Sequence, residues 1–405
     1  MAFTQGVSGL NAASSQLDTI GHNIANSQTV GFKKSRTEFA DLYAGAKAGL
    51  GVQVSAITQS FSQGAMETTD RDLDLAIQGG GFFRLTDGQQ VTYSRNGQFQ
   101  MDANGFLVNN TGGKLMGYPV DDPASANPVV LAGAQPVALQ VAQGDLDASA
   151  TTTGNMTFNL DSTDTARVDA NGNALAFDAT NPKSYNWQTS LTTYDSQGNA
   201  QQVNMYFVKS ATDNNSWTVH ALNKGNEVGT SNLTFNENGK ITGGDTLNLA
   251  INPGNGAAPI NANIDLTSVT QNSGSFVVNA ASQNGYAAGS LTGISIADNG
   301  DVLGKYSNNQ SRALGRVALA SFTNEQGLKP DGNNAWLATT NSGQELLGSA
   351  GTGQLGSLLS GTLENSNVDL ASELVTMIVA QRNYQANAQT IKTQDQILQT
   401  MVNLR

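Results

Sequence analysis

Histidines are the first candidates for acid–base chemistry, and the sequence contains only two, His22 and His220. His22 lies beside Asn23 in a predicted helix, and His220 lies in a predicted strand. Neither has the neighbouring carboxylate and nucleophile that a catalytic triad requires. The chain has no cysteine, which excludes disulfides and thiolate nucleophiles. We therefore expect no catalytic residues and a structural role for both histidines.

Paired aspartates in the stretch RDLDLAI, residues 71–77, are the next candidates. Asp72 and Asp74 fall on one face of a predicted strand, where two carboxylates serve acid–base or metal chemistry. Water-exposed strand faces carry such pairs routinely, and we expect that simpler role here. The turns DANG and DSQG lack the ligand spacing and the terminal Glu of a calcium loop. The sequence therefore predicts no metal site and no cofactor.

Two further stretches resemble binding motifs in composition only. QGGGFF, residues 78–83, lacks both the Gly-Lys-Ser/Thr ending and the helix start of a phosphate loop, so it predicts a tight turn between strands. Lys33, Lys34 and Arg36 form a small basic cluster that we interpret as a solvated face. A net charge of -12 also argues against partners such as nucleic acid or anionic lipid.

Composition indicates turn-rich β structure with weakly charged surfaces. Only 13% of the residues are charged, about half the usual share, and glycine occurs 44 times. No stretch approaches the ~18 apolar residues of a membrane span. The N-terminal residues lack a basic start followed by an apolar run, so we expect no cleaved secretory signal.

Apolar residues recur every seven positions in the N-terminal segment. The line comprises Phe3, Leu10, Leu17 and Ile24, with Val7 between them. This spacing predicts an amphipathic helix with a coiled-coil-like seam that ends near Asn26. Turn-forming and β-branched residues follow from Ser27 to Gly31.

The C-terminal segment has the same period over a longer stretch. One apolar line comprises Leu370, Met377, Tyr384, Ile391 and Leu398. A neighbouring row holds Leu374, Ala388 and Val402. Asn367 or Asp369 is the predicted N-cap, with Glu373 in the first turn.

Neutral amides and hydroxyls, not Lys and Glu pairs, cover the other faces of the C-terminal helix. Such side chains are cheaper to remove from water than charges, which favours a helix surrounded by protein. We expect the two terminal helices to pair and copies of the chain to cover their remaining faces. The alternative is a helix pair docked on its own β domain.

Between these helices the apolar pattern changes to period two. Residues 190–210 predict two strands around a turn, and residues 216–222, 231–243 and 246–252 continue the pattern. Asx-Gly turns recur at 102–105, 169–172, 195–198, 236–239 and 298–300. Loops are predicted at 329–334 and 351–357. The predicted fold is α+β and mainly β, with terminal helices paired as a coiled coil and serial β-rich domains inserted between them.

Three blocks of sequence resemble the bacterial flagellar axial proteins of the rod and hook. Residues 8–35 carry the N-terminal signature at Asn23, Ile24, Ala25, Asn26, Thr29, Gly31 and Phe32. Residues 73–83 and 93–99 are similar to the family's next block, and residues 361–398 are similar to its C-terminal block. His22 stands where the signature commonly has Asn. Residues 145–285 carry no such signature.

The resemblance implies a structural subunit of a tubular, bendable polymer that transmits torque from rod to filament. The large middle insertion favours a hook subunit over the shorter rod proteins. The implied partners are other copies of the chain, the rod, the hook cap, the hook–filament junction protein and the flagellar type III export apparatus. The implied location is the flagellum outside the cell, reached without a cleaved signal. Another axial protein, from the distal rod or the hook–filament junction, or a non-flagellar β-rich fibre or adhesin, is the alternative.

We expect four parts in the chain. They are the paired terminal helices at 1–31 with 366–405, a connecting segment at 32–70 with 355–365, a β domain at 71–145 with 284–354, and an outer inserted β domain at 146–283. The seam residues of the two helices are the predicted polymer interface.

Overall fold

The computed structural model describes residues 2–42, 51–123, 125, 128–141 and 144–403. The chain divides into two compact units. The first unit comprises Met1–Gln143, Gly293–Lys305 and Ser311–Arg405, and the second comprises Gly144–Thr292 and Tyr306–Gln310. Both ends of the chain therefore belong to the first unit.

Two long helices occupy the chain ends, as predicted. Helix α1 spans Ala2–Ala25, one residue short of the predicted end, and α2 spans Leu370–Asn403. Asp369 Oδ1 accepts hydrogen bonds from the backbone N–H of Ala371 at 2.9 Å and Ser372 at 3.2 Å, which makes it the N-cap. No helix within the described residues combines the length and apolar character that crossing a membrane needs.

Twenty-eight strands are described between the two helices. In chain order they begin with β1 Ser35–Leu42, β2 Gly51–Gln59, β3 Met66–Thr68, β4 Leu75–Gln78, β5 Phe82–Thr86, β6 Val91–Ser94, β7 Phe99–Met101, β8 Leu107–Asn109, β9 Lys114–Tyr118 and β10 Val137–Ala138. They continue with β11 Thr153–Asp161, β12 Trp187–Tyr194, β13 Ala200–Lys209, β14 Ser216–Asn223, β15 Asn226–Phe235, β16 Ile241–Gly243, β17 Thr246–Ile251, β18 Ile260–Asp265, β19 Thr270–Asn272 and β20 Val277–Gln283. The last are β21 Leu291–Ile296, β22 Asp301–Tyr306, β23 Ser311–Ser321, β24 Lys329–Gly332, β25 Ala335–Leu337, β26 Leu346–Ser349, β27 Ser357–Ser360 and β28 Thr362–Glu364. A 3₁₀ turn spans Glu325–Gly327.

The β structure of the first unit is built from strands that are distant in sequence. Its large sheet has the order β21-β22-β23-β9-β5-β6-β25-β24, and β27 pairs with β4 while β28 pairs with β3. Strands β1 and β2 form a separate antiparallel hairpin. Aromatic side chains fill one core of this unit, with Phe82 packed edge-to-face on Phe322 and Trp336.

The second unit contains two sheets that share one apolar core. Strands β12 to β16 form an antiparallel meander, and β17, β18, β11, β19 and β20 form the other sheet. Trp217 and Phe207 from the meander are fully buried with Phe158 and Ile264 from the other sheet. Buried residues alternate with exposed or half-buried ones along β17, β18 and most of β11, which is the pattern of a β-sandwich. The predicted strands between residues 190 and 252 are confirmed, as is the mainly β fold with a helix at each end.

The recurring Asx-Gly turns form as predicted. Asp102, Asp169, Asp195 and Asn236 each accept hydrogen bonds from the backbone N–H groups two and four residues later. The glycines of these four turns have φ between +71° and +83°, which side chains with a Cβ rarely adopt. The same local hydrogen-bonding pattern therefore sets these four turns.

Two local predictions from the sequence are wrong, and a third is confirmed. The strand predicted across 71–77 begins only at Leu75, because Asp72 and Leu73 form a turn. QGGGFF does form a short bend between two strands, as predicted, although the strands belong to different sheets, since β4 pairs with β27 and β5 pairs with β6 and β9. The predicted loop at 329–334 contains β24, which forms a hairpin with β25.

We expect the stability of the second unit to decrease as the pH falls from about 4 to about 2. Burial alone would raise the pKa of Asp195, but hydrogen bonds from Asn255 and from the backbone and side chain of Asn199 hold that pKa at about 2. An unfolded aspartate titrates near ~3.9, so the stabilisation is complete above that pH and is lost below it. Urea unfolding at a series of pH values would show a shallower decrease for Asp195→Asn. Asp213→Asn, at an exposed position, is the control; equal pH profiles for wild type and Asp195→Asn would contradict the assignment.

Candidate assembly interface

The two terminal helices run antiparallel and contact each other through small residues. Gly6 lies against Ile391, and Gly9 lies so close to Asn387 that a Cβ on it would be 2.8 Å from Asn387 Oδ1. At the other end, Asn23 Nδ2 donates a hydrogen bond to Glu373 Oε2 at 3.3 Å. The glycines allow the backbones to approach closely, which large apolar side chains would prevent.

The face of α2 toward α1 is centred on Ala380, which is 0% exposed. Met377 and Ile391 of the predicted apolar line are half-buried on this side, as are Asn387 and Glu373. The second row of the contact is therefore Glu373, Ala380 and Asn387, each seven residues apart. This row mixes a charge, an amide and a methyl group, so the hydrophobic pattern did not reveal it.

An adjacent side of α1 packs on the β1–β2 hairpin. Asn23 Oδ1 accepts from the backbone N–H of Ser35 at 2.9 Å, and its Nδ2 donates to the Ser35 carbonyl at 2.8 Å. Thr37 Oγ1 donates to Thr19 Oγ1 at 2.9 Å. A groove of about 320 Å³ is lined by α1, α2 and the hairpin, with Gly9, Ala12, Ala13 and Phe39 among its walls.

A contiguous set of apolar side chains remains uncovered on the N-terminal half of α2. We call this set the apolar stripe; its members are 42–62% exposed and comprise Leu370, Leu374, Val375, Ile378 and Val379. Soluble single chains rarely leave such a patch in water, and large exposed patches mark interaction surfaces. Val375, Ile378 and Val379 lie outside the predicted line of period seven, although their spacing of three and four residues from other apolar residues is itself a helical signal.

The predicted seam residues have different environments. Exposed members are Phe3, Val7, Leu370, Leu374, Tyr384 and Leu398. Half-buried members are Leu10, Leu17, Ile24, Met377 and Ile391. Val402 lies outside the described side chains. Within one chain, most of the large predicted seam residues are therefore available to another molecule.

The signature residues form the end of α1 and the connector that follows it. Asn26 Nδ2 donates to the His22 carbonyl at 3.0 Å, and Thr29 Oγ1 donates to Asn26 Oδ1 at 3.2 Å. Gly31 has φ +71°, and a Cβ there would lie 2.5 Å from the backbone nitrogen of Asn96. Phe32 is buried, Ile24 is half-buried and Ala25 is exposed. Asn26, Thr29 and Gly31 thus lie in a tight turn directly after α1.

The basic cluster is not the solvated face that we predicted. The Lys33 side chain is 0% exposed and its Nζ lies 2.6 Å from Glu364 Oε1. Burial lowers the pKa of Lys33 although the Glu364 carboxylate opposes that change. Only Arg36 is exposed, with its Nη2 2.8 Å from Glu38 Oε1. The sequence could not reveal the pairing of Lys33 with Glu364, because these two residues are 331 positions apart.

The other candidates for chemistry are placed in structural roles. Asp74 is buried and accepts a hydrogen bond from Thr69 Oγ1 at 2.9 Å, whereas Asp72 is exposed, so the two do not share a face. His220 Nδ1 lies 2.7 Å from Glu227 Oε1 across the β14–β15 hairpin, and its ring stacks on Phe177. Among the described residues no three His, Asp or Glu side chains are grouped so as to hold a metal.

Four family models match successive parts of the chain. They are "Flagella basal body rod protein" at residues 4–33, "Flagellar hook protein FlgE/F/G D1 domain" at 76–158, "Flagellar basal body protein FlaE D2 domain" at 159–286 and "Flagellar basal body rod FlgEFG protein C-terminal" at 359–404. The matches include the middle of the chain, residues 159–286, which carries none of the signature blocks described above.

Relatives that match the chain over nearly its whole length are described as flagellar hook proteins. The flagellar hook proteins FlgE of Salmonella typhimurium and Escherichia coli are each 48% identical to this chain over 100% of both sequences. That of Borreliella burgdorferi is 34% identical over 99% of this chain and 98% of its own. The crystal structure of Helicobacter pylori flagellar hook protein FlgE2 has a similar fold, with a TM-score of 0.52, 15% identity and coverage of 72% of this chain and 98% of that one. On this similarity, together with the paired terminal helices, the chain belongs to the flagellar hook protein FlgE family.

Proposed function

We propose that this chain is the structural subunit of a flagellar hook, and that it polymerises into a tube that bends while it transmits torque. The observation that carries the proposal is the apolar stripe on α2, which a single chain leaves in water. Each large side chain contributes roughly 1.5–3 kcal/mol when it is fully buried. Copies packed side by side would bury the stripe and the exposed seam residues together.

The helix pair offers two different surfaces for this contact. The stripe lies on the N-terminal half of α2, whereas the groove lies among Gly9, Ala13 and Phe39. If the stripe of one copy docks near the groove of the next, each copy uses unlike surfaces. Such head-to-tail contacts produce a helical polymer whenever the rotation does not close a ring.

We also propose a role in this polymer for each of the four predicted parts of the chain. The terminal helices would form the inner core that lines the channel, and the β domains would lie outward in series. Low surface charge reduces both repulsion and fixed ion-pair registry between copies. The outer surfaces can then slide past each other as the tube bends, while apolar burial holds the core together.

The partners and location follow from the proposed role. The subunit would contact other copies of itself, the rod at the base, the hook cap during growth and the hook–filament junction protein at the tip. It would leave the cell through the flagellar type III export apparatus without a cleaved signal. We propose no catalytic activity and no cofactor, since the polar clusters of the described residues serve turns and packing.

Electron microscopy of the concentrated full-length chain tests the proposal against its alternatives. Curved tubes are expected of a hook subunit, and straight tubes are expected of another axial protein such as a distal rod subunit. Straight solid fibres would support a non-flagellar fibre instead. A chain that stays monomeric at all concentrations, as sedimentation would show, contradicts the polymer.

A charge reversal on the second unit is expected to leave assembly intact. Glu237 is exposed in a turn, so Glu237→Lys should change the fold stability by less than about 0.5 kcal/mol. The tubes should still form, with a curvature or stiffness that differs from wild type when measured on electron micrographs. Loss of tubes from a folded Glu237→Lys chain would contradict the division between an adhesive core and sliding outer surfaces.

A further inference from the structure

A buried charge cluster lies where the segments that join the helices to the β structure meet. Glu364 ends β28 and its side chain is 0% exposed. Its Oε1 accepts hydrogen bonds from Lys33 Nζ at 2.6 Å and from the Gly64 backbone N–H at 2.8 Å, and its Oε2 lies 3.3 Å from Arg95 Nη1. The side chains of Lys33 and Arg95 are 0% and 3% exposed. One carboxylate therefore compensates two buried cations.

Each member of the cluster is tied to a different segment of the first unit. Lys33, which follows α1, also donates from Nζ to the carbonyl of Ser62, after β2, at 2.7 Å. Arg95, which follows β6, donates from Nη2 to the carbonyl of Gly79 at 2.8 Å. Glu364 itself precedes α2. The cluster thus joins both helix connectors to the β structure.

The position of Glu364 depends on the register of a very short strand. β28 is three residues long and pairs antiparallel with β3, with Leu363 opposite Glu67. A slip by one residue would present Leu363 or Asn365 to the cations in place of the carboxylate. A buried charge without its partner is strongly destabilising, whereas a buried ion pair adds little net stability over apolar packing. The cluster is therefore better suited to selecting one register than to adding stability.

We infer that Lys33, Glu364 and Arg95 form a register latch that fixes the C-terminal connector, residues 361–369, against the segment that follows α1. The latch closes only when both ends of the chain are in place, because its paired residues are 331 and 269 positions apart. It sets where α2 begins relative to α1. This inference goes beyond the proposed function, since its readouts are made on single chains.

Hydrogen–deuterium exchange on the full-length chain, kept monomeric by dilution, tests the latch with Glu364→Gln. Amides of residues 31–34, 60–68 and 361–369 should exchange about 100-fold faster than in wild type, because the variant keeps the shape but leaves both cations uncompensated. Amides of residues 144–292 serve as the internal reference and should be unchanged. Unchanged exchange in the three connector segments would overturn the inference.

Glu67→Gln is the matched control. Glu67 lies on β3, opposite β28, and is exposed while accepting a hydrogen bond from Asn365 Nδ2 at 2.8 Å. Its substitution should change connector exchange by less than about threefold. An effect as large as that of Glu364→Gln would mean that any substitution on the paired strands β3 and β28 opens the connector. That result would overturn the inference that the buried charges fix the register.

Lys33→Met separates charge compensation from packing. In the Lys33→Met background, Arg95 is the one cation of the cluster that Glu364 still compensates. The acceleration of connector exchange caused by Glu364→Gln should therefore be smaller than in wild type by a factor of at least about ten. Equal effects in the two backgrounds would show that packing, not compensation, holds the connector. If Glu364→Gln alone does not fold, recovery of a folded chain in Lys33→Met/Glu364→Gln supports the latch, and failure of both overturns it.

Discussion

Ile378→Asp is expected to abolish polymer formation while leaving both units folded. Ile378 is 51% exposed in the single chain, so a carboxylate there stays hydrated and costs little beyond its weaker helix propensity. In a polymer that buries the apolar stripe, the same carboxylate would be removed from water without a partner. That cost, together with the lost apolar burial, amounts to several kcal/mol for every copy added.

Ile378→Leu is the matched control, because it keeps the volume and the apolar character of the side chain. It should polymerise like wild type, and circular dichroism should show native folding of both variants. Sedimentation and electron microscopy measure the outcome. Tubes formed by Ile378→Asp at wild-type concentrations would exclude the apolar stripe from the interface.

Substitutions at two seam residues distinguish the contact between the two helices of one chain from the contact between copies. Leu398 is exposed, so Leu398→Asp should block assembly without harming the chain, as Ile378→Asp does. Ile391 contacts Gly6 of α1, so Ile391→Asp should block assembly partly by separating the helices of one chain. Limited proteolysis would show earlier cleavage of α1 in Ile391→Asp only.

Trp217→Ala is expected to destabilise the second unit by about 3–5 kcal/mol without preventing assembly. The indole is 0% exposed at the centre of the sandwich core, and its Nε1 donates to Gln271 Oε1 at 3.0 Å. The substitution leaves a large cavity and removes the donor to a buried amide oxygen. Thermal unfolding followed by tryptophan fluorescence and circular dichroism would show the lower transition.

Below that transition, the Trp217→Ala chain should still form tubes, because its helices and first unit are unaltered. Trp217→Phe should cost less, since most of the ring volume is retained. Loss of polymer at temperatures where the second unit is still folded would show that the second unit helps to hold copies together. That result would contradict the proposal that the terminal helices alone hold the core together.

The local elements could be predicted because neighbouring residues determine them. The cap at Asp369 and the turns at Asp102 and Asn236 depend on side chains that bond to backbone groups within four residues. The meander from β12 to β16 was readable from its alternation and its short turns. These patterns depend on neighbouring residues and do not depend on the position of the rest of the chain.

The candidate interface was only partly predictable. The period of seven located both helices, but it selected the row of Leu374 as the second line of the contact, and that residue is exposed. The row that faces α1 includes the buried Ala380 and the half-buried Asn387, whose small and polar side chains carry little hydrophobic signal. A glycine of α1 contributes to this choice, because the absence of a side chain at Gly9 lets Asn387 lie against the α1 backbone.

By itself, the sequence determined the two terminal helices, the Asx-Gly turns, the alternating strands of the second unit and the similarity to flagellar axial proteins. Tertiary structure alone decided which face of α2 is covered, why Lys33 is buried and why Asp74 is hidden from water. The physical reason is distance along the chain. Lys33 and Glu364 are brought together across 331 residues, so their charges and burial depend on pairings such as β28 with β3 that no local pattern encodes.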